Sequence, residues 1–125
     1  MEAKDTEIDT NLYSRQIGTF GIETMGKLIK MNVLIVGMRG LGVEIAKNLI
    51  LAGPKSVHIY DPELAQMKDL GANFYLEERH VGKTSRAEAC LEKLHELNPY
   101  VKVETVASEA AMHEMIASGS LHVVC

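Results

Sequence analysis

Residues 33–53, VLIVGMRGLGVEIAKNLILAG, restrict the fold more than any other part of the chain. Val33 to Val36 is a run of four aliphatic residues, the mark of a strand buried on both faces of a parallel sheet. Gly37, Gly40 and Gly42 follow, and then Leu41, Ile45, Ala46, Leu49 and Ala52 set a helical stripe that ends at Gly53 and Pro54. A second strand over 56–61, SVHIYD, completes a strand-helix-strand unit, and two parallel strands need a crossover of this kind.

The flanking sequence continues the alternation. Ahead of the unit, 12–31 carries Ile17, Phe20, Met25, Leu28 and Ile29 at helical spacing, but Gly18, Gly21 and Gly26 divide it into two short helices. Residues 62–81 have no strong period and read as a long loop with a helical turn around 66–70; loops of this length are usually functional or packed on a partner. A helix over 85–97 with Ala87, Leu91, Leu94 and Leu97 on one face stops at Asn98-Pro99. A third strand at 101–106, a helix at 109–117 closed by Gly119, and the start of a fourth strand at 121–125 follow. The expected class is α/β, a Rossmann-like doubly wound, mainly parallel sheet preceded by N-terminal helices. Ending inside an apolar strand with no closing helix, it reads as a truncated piece of a larger polypeptide or a half that docks on another.

The sequence has 125 residues, enough for one domain or part of one, with 46% hydrophobic and 24% charged residues. A net charge of -4 without a basic cluster gives no footprint for nucleic acid or an anionic membrane. Cys90 and Cys125 have no disulfide-framework or zinc spacing and suit a reducing compartment. The acidic start, residues 1–11, is expected to be a disordered tail and lacks a signal-peptide pattern. No apolar run approaches a membrane span. A cytoplasmic or nuclear location is the expectation.

A glycine turn between strand and helix sets backbone N–H groups and the positive helix end against a phosphate. Here the order is G-M-R-G-L-G, with Arg39 where close phosphate approach would favour glycine. Arg39 either binds a phosphate oxygen or fills the space a phosphate would need. Asp61, at the end of the second strand, stands where an acid would bond a ribose hydroxyl. The other reading is a structural turn without nucleotide.

Several motifs in order carry a resemblance: Leu12-Tyr13-Ser14-Arg15-Gln16-Ile17, the GMRGLG turn and its helix, Asp69-Leu70 with Asn73-Phe74, Arg86-Ala87-Glu88, and Leu97-Asn98-Pro99-Tyr100. Together they resemble the N-terminal adenylation half of ubiquitin-activating enzymes, a ThiF-type fold, from about Leu12 to the end. The small subunit of SUMO-activating enzymes is similar to the same stretch. In that family two related repeats pair, one active and ATP-bearing, the other degenerate, and this sequence resembles the degenerate one.

The resemblance implies that Arg39 replaces the middle glycine of the active turn. Aligned on Phe74, the active repeat's two asparagines, arginine and glutamine fall on Asp69, Gly71, Ala72 and Asn73, so its arginine is Ala72 here and both asparagines are absent. Losing a group that stabilises transferring phosphates argues against local catalysis. The family's lysine falls near Ser85 and Arg86. Gly37, Arg39, Gly40, Gly42 and Asp61 would then form a degenerate nucleotide turn, with ATP and magnesium bound by the partner repeat and no cofactor or metal expected locally. Arg15 resembles an arginine that the inactive repeat extends across the interface to the partner's ATP, an arginine finger in trans whose fork pairs two phosphate oxygens.

The whole enzyme would adenylate the C-terminus of ubiquitin or a related modifier and pass it to a cysteine as a thioester, the fragment alone being inactive. Two alternatives are a separate subunit of a heterodimeric SUMO-activating enzyme and a NAD- or FAD-binding oxidoreductase. Without the family, Arg15 reads as an exposed arginine on an amphipathic helix. Cys90 reads as a buried structural thiol, and the charge run Glu77, Glu78, Arg79 as a solvated face. His58, His80, His95, His113 and His122 lack ligand spacing. Met25, Met31, Met112 and Met115 read as core or interface fillers.

Overall fold

The computed structural model describes residues 11–73 and 75–125, apart from the side chains of Ile17 and Phe20. The expected tail lies outside the described residues except Asn11, which begins the turn into the first helix, and Phe74 also lies outside them. Helices α1 (Ser14–Phe20) and α2 (Ile22–Leu28) precede strand β1 (Asn32–Val36), helix α3 (Gly40–Ala52) and strand β2 (Ser56–Tyr60). After 3₁₀ turns at Met67–Gly71 and Glu78–His80 come α4 (Arg86–Glu96), β3 (Lys102–Thr105), α5 (Glu109–Ala117) and β4 (Val123–Val124).

The four strands form one sheet in the order β3-β2-β1-β4, with every neighbouring pair parallel. Val33 pairs with Val57 on one side and Val123 on the other, so β1 is the centre of the sheet in register as well as in burial. Val33, Leu34 and Ile35 are all buried, as a strand flanked by other strands and covered on both faces requires. Because successive residues of a strand point to opposite faces, Val33, Ile35, Val57, Ile59 and Val103 present one apolar surface. Val43, Ala46 and Ile50 of α3 and Ala87, Cys90 and Leu94 of α4 share the hydrophobic core with that surface. Fully burying an aliphatic side chain of this size stabilises by roughly 1.5–3 kcal/mol.

Helix α3 corrects one expectation. Leu41, expected in its buried stripe, is 76% exposed, and the buried positions are Val43, Ala46 and Ile50, with Ile45 and Leu49 partly buried. The helix is apolar on nearly every side, so period alone could not select the face. On α4, Ala87 and Leu94 are buried as expected, Leu91 and Leu97 are partly buried, and Cys90 lies fully in the core. The helix starts where Ser85 accepts a hydrogen bond from the Glu88 N–H, and α5 starts the same way with Ser108 and the Ala111 N–H. No residue of α5 is buried. The distal strand is held by Asn32, whose N–H donates to His122 Nδ1 at 3.0 Å and whose carbonyl accepts from the His122 N–H at 2.9 Å. Among the described residues no helix is long and apolar enough to cross a membrane.

Candidate functional site

The glycine turn sits at the carboxyl end of β1, the end of a parallel sheet at which ligands bind in open α/β folds. Gly37 has φ +98 and its N–H donates to the Tyr60 carbonyl at 2.8 Å, so the turn begins as an extension of the β1–β2 ladder. The chain then doubles back so closely that a Cβ on Gly42 would lie 1.8 Å from the Gly37 carbonyl oxygen. A Cβ on Gly40 would lie 2.9 Å from that of Ala72. These contacts require glycine for packing, whatever the turn binds.

The Asp61 carboxylate is bonded within the chain. It is 7% exposed, its Oδ2 accepts from the Met38 N–H at 2.9 Å, and its Oδ1 accepts from the Glu63 N–H at 3.1 Å. Met38 is the second residue of the turn, so one of the amides such a turn offers to a ligand is engaged by the chain's own carboxylate. Arg39 points outward, its side chain 65% exposed and Nη2 3.7 Å from Glu63 Oε2.

Arg86 is one of the motif residues, but its part in the site was missed by sequence reasoning. It opens α4, yet only 1% of it is exposed. Its Nε donates to Asp69 Oδ2 at 2.8 Å and its Nη1 to Glu63 Oε2 at 2.7 Å, with Asp61 Oδ2 3.7 Å from Nη1. Among the described residues Nη2 has no hydrogen-bond partner. Burial pushes the Asp69 carboxyl upward, but the Arg86 guanidinium and the Gln66 N–H outweigh it and hold it below its ordinary value. The hydrogen bond from Arg86 likewise holds Glu63 down. In turn the hydrogen bond to Asp69 holds Arg86 above its ordinary value.

A cleft of about 490 Å³ opens beside this cluster, lined by Gly37, Arg39, Leu41, Tyr60, Asp61 and Arg86 among others. Two guanidinium groups, Arg39 and Arg86, and two carboxylates, Asp61 and Glu63, line it, so the cations are matched by acids. Asn73, fully buried, ties the loop to the turn: its Nδ2 donates to the Met38 carbonyl at 3.2 Å and lies 3.2 Å from Cys90 Sγ. Burial raises the Cys90 thiol, which suits the structural reading. Iodoacetamide is expected to label exposed Cys125 and to spare Cys90 until denaturant opens the core, as peptide mass mapping will show.

Arg15 stands elsewhere. It is exposed on the first turn of α1, and its neighbour Gln16 donates through Nε2 to the Ala52 carbonyl at 3.0 Å. Ala52 is the last residue of α3 and the glycine turn is at its first, about 18 Å away at 1.5 Å per residue. The structure therefore does not bring Arg15 together with Gly37, Arg39, Gly40, Gly42 and Asp61. Glu77, Glu78 and Arg79 are exposed as expected. His58 is half-buried on β2, where burial lowers its pKa despite Glu104 3.8 Å away. Among the described residues no three His, Cys, Asp or Glu side chains cluster in a way that would hold a metal.

The sequence pattern of the ThiF family matches residues 13–121. The chain belongs to the ThiF family. Within it, this ThiF chain is 48% identical over 101 residues to ubiquitin-like modifier-activating enzyme 1 of Dictyostelium discoideum, covering 81% of this chain and 10% of that protein. It is 53% identical over 104 residues to human ubiquitin-like modifier-activating enzyme 6, covering 82% of this chain and 10% of the relative. Homology to ubiquitin-activating enzymes at this level sets aside the oxidoreductase reading. The chain spans about a tenth of the length of these relatives.

Among solved structures, the E. coli tRNA N6-threonylcarbamoyladenosine dehydratase TcdA superposes with a TM-score of 0.76 at 17% identity, over 91% of this chain and 48% of that one. E. coli MccB, solved with ATP, gives 0.73 at 22% identity over 83% of this chain and 34% of that one. These two likenesses establish the fold, a Rossmann-like ThiF sheet.

Proposed function

We propose that the chain acts as the inactive adenylation repeat of a ubiquitin-activating enzyme. In this reading it scaffolds the ATP-dependent adenylation of the modifier's C-terminal carboxylate, and ATP with magnesium is held by an active partner repeat. The observation that carries it is the hydrogen bond from the Met38 N–H to Asp61, with Arg86 bound to Asp69 and Glu63 beside it. A turn whose amide and cations are already answered by its own carboxylates has little to offer a triphosphate. Ubiquitin or a related modifier and the active repeat are the partners of this reading, with no nucleic acid or membrane. Its location is the cytoplasm and nucleus.

The residue that reaches the chemistry is Arg15. Because it lies at the far end of α3 from its own turn, it serves a phosphate belonging to another repeat, whose oxygens a guanidinium fork pairs two at a time. In a full-length activating enzyme carrying residues 12–125 of this chain, Arg15→Ala is expected to slow ATP-pyrophosphate exchange on the order of a hundredfold while the melting temperature holds. Exchange at the parental rate would overturn the role.

A further inference from the structure

We infer that Tyr13, Gln16 and Asn98 are positioning residues for Arg15, which they fix to the carboxyl end of α3. This rests on the trans role of Arg15 proposed above. Helices α1 and α2 have seven residues each, too short to hold their shape without tertiary contacts. What holds the arginine in place is therefore what holds α1 against the sheet layer.

The last carbonyls of a helix lack intrahelical donors. The Ile50 carbonyl accepts from the Gly53 N–H at 3.2 Å, and because the residue four on is Pro54, which has no N–H, its second lone pair is open to a side-chain donor. Asn98, buried just past the end of α4, donates through Nδ2 to the Ile50 carbonyl at 3.0 Å and to the Tyr13 hydroxyl at 2.7 Å. Its Oδ1 accepts from the Tyr100 N–H at 3.0 Å, which sets the amide's orientation. Gln16 answers the Ala52 carbonyl in the same way.

Just past these two carbonyls the chain turns at Gly53, with φ +96, and the Tyr13 ring lies where a side chain would otherwise be, 2.5–2.8 Å from a built Cβ. Tyr13 is 3% exposed. Residues three apart on a helical turn lie on one side, so Tyr13 and Gln16 both meet α3 and Arg15 between them is left facing outward. The helix end thus serves as a base for the arginine, fastened on both sides of it in sequence.

The same full-length enzyme carries the test, as a double-mutant cycle on ATP-pyrophosphate exchange. Tyr13→Phe removes the hydroxyl that Asn98 meets and Gln16→Ala removes the second fastening at a half-exposed site. Each is expected to lower kcat on the order of tenfold, since small misplacements of a phosphate-binding group are costly. In the Arg15→Ala background neither is expected to lower it further.

An equal fold-loss in both backgrounds, following the melting temperature, would overturn the inference and leave the three as structural residues only. A silent Arg15→Ala would instead overturn the trans role itself. The two failures are told apart by the Arg15→Ala rate alone.

Discussion

Replacing Arg86 with methionine is expected to lower the stability of the fold by about 3–5 kcal/mol, the effect of leaving buried carboxylates without their counter-charge. At a typical denaturant slope this moves the urea midpoint down by about 2 M. Asp61 and Asp69 are both nearly sealed from water, so neither recovers hydration when the guanidinium is lost. Glu63 is exposed and contributes little of the loss. Asp69→Asn in the same background is expected to restore part of it, so that the double variant loses less than the two single losses together.

The pH dependence gives a second readout of that cluster. A carboxyl whose pKa is lower folded than unfolded stabilises above the unfolded value, and that contribution is lost as pH falls through the folded one. Asp69 is such a group, held below 3.8 chiefly by Arg86 against the opposing pull of burial. The parent is therefore expected to lose stability below about pH 4. In Arg86→Met only the Gln66 N–H is left to oppose burial, so acid protonates the carboxyl at a smaller cost and the gap between variant and parent narrows on acidification. A gap that stayed constant from neutral pH to below pH 4 would contradict the assignment.

Gly42→Ala is expected to be nearly as severe, at about 3 kcal/mol, with calorimetry or urea titration as the measure. The added methyl would meet a backbone carbonyl at 1.8 Å, and that carbonyl has nowhere to go. Gly37 is held by Tyr60 on one side and Met38 by Asp61 and Asn73 on the other. Gly18 and Gly26 are the internal comparison: a Cβ at either meets nothing within 4 Å, and both are helical. Alanine there is expected to stabilise by about 0.5–1 kcal/mol. Equal effects at Gly18 and Gly42 would refute the close-approach argument.

The order of elements was legible because each is announced locally. The aliphatic run of β1, the glycines after it, Ser85 and Ser108 at helix starts and Asn98-Pro99 at a helix end all act within a few residues. The face of α3 was not legible, since Leu41 and Val43 are equally apolar and only the sheet decides between them. The buried role of Arg86 was missed for a different reason. A charged residue in the first turn of a helix is ordinarily solvated, and its three carboxylates come from two other segments of the chain. Likewise Tyr13 and Asn98 stand out as motif residues, but their hydrogen bond joins positions 85 apart. The site's residues could be named from the sequence; which atoms meet which could not.

The glycine turn bears on how such sequences are sorted. Gly37 is explained by its φ of +98 and Gly42 by the Gly37 carbonyl oxygen 1.8 Å from where its Cβ would be, with no reference to a bound molecule. Selection for that packing alone preserves the spacing long after any ligand has gone. A glycine signature in this fold is therefore a record of architecture, and occupancy has to be read from the neighbours that engage its amides, here Asp61 on the Met38 N–H.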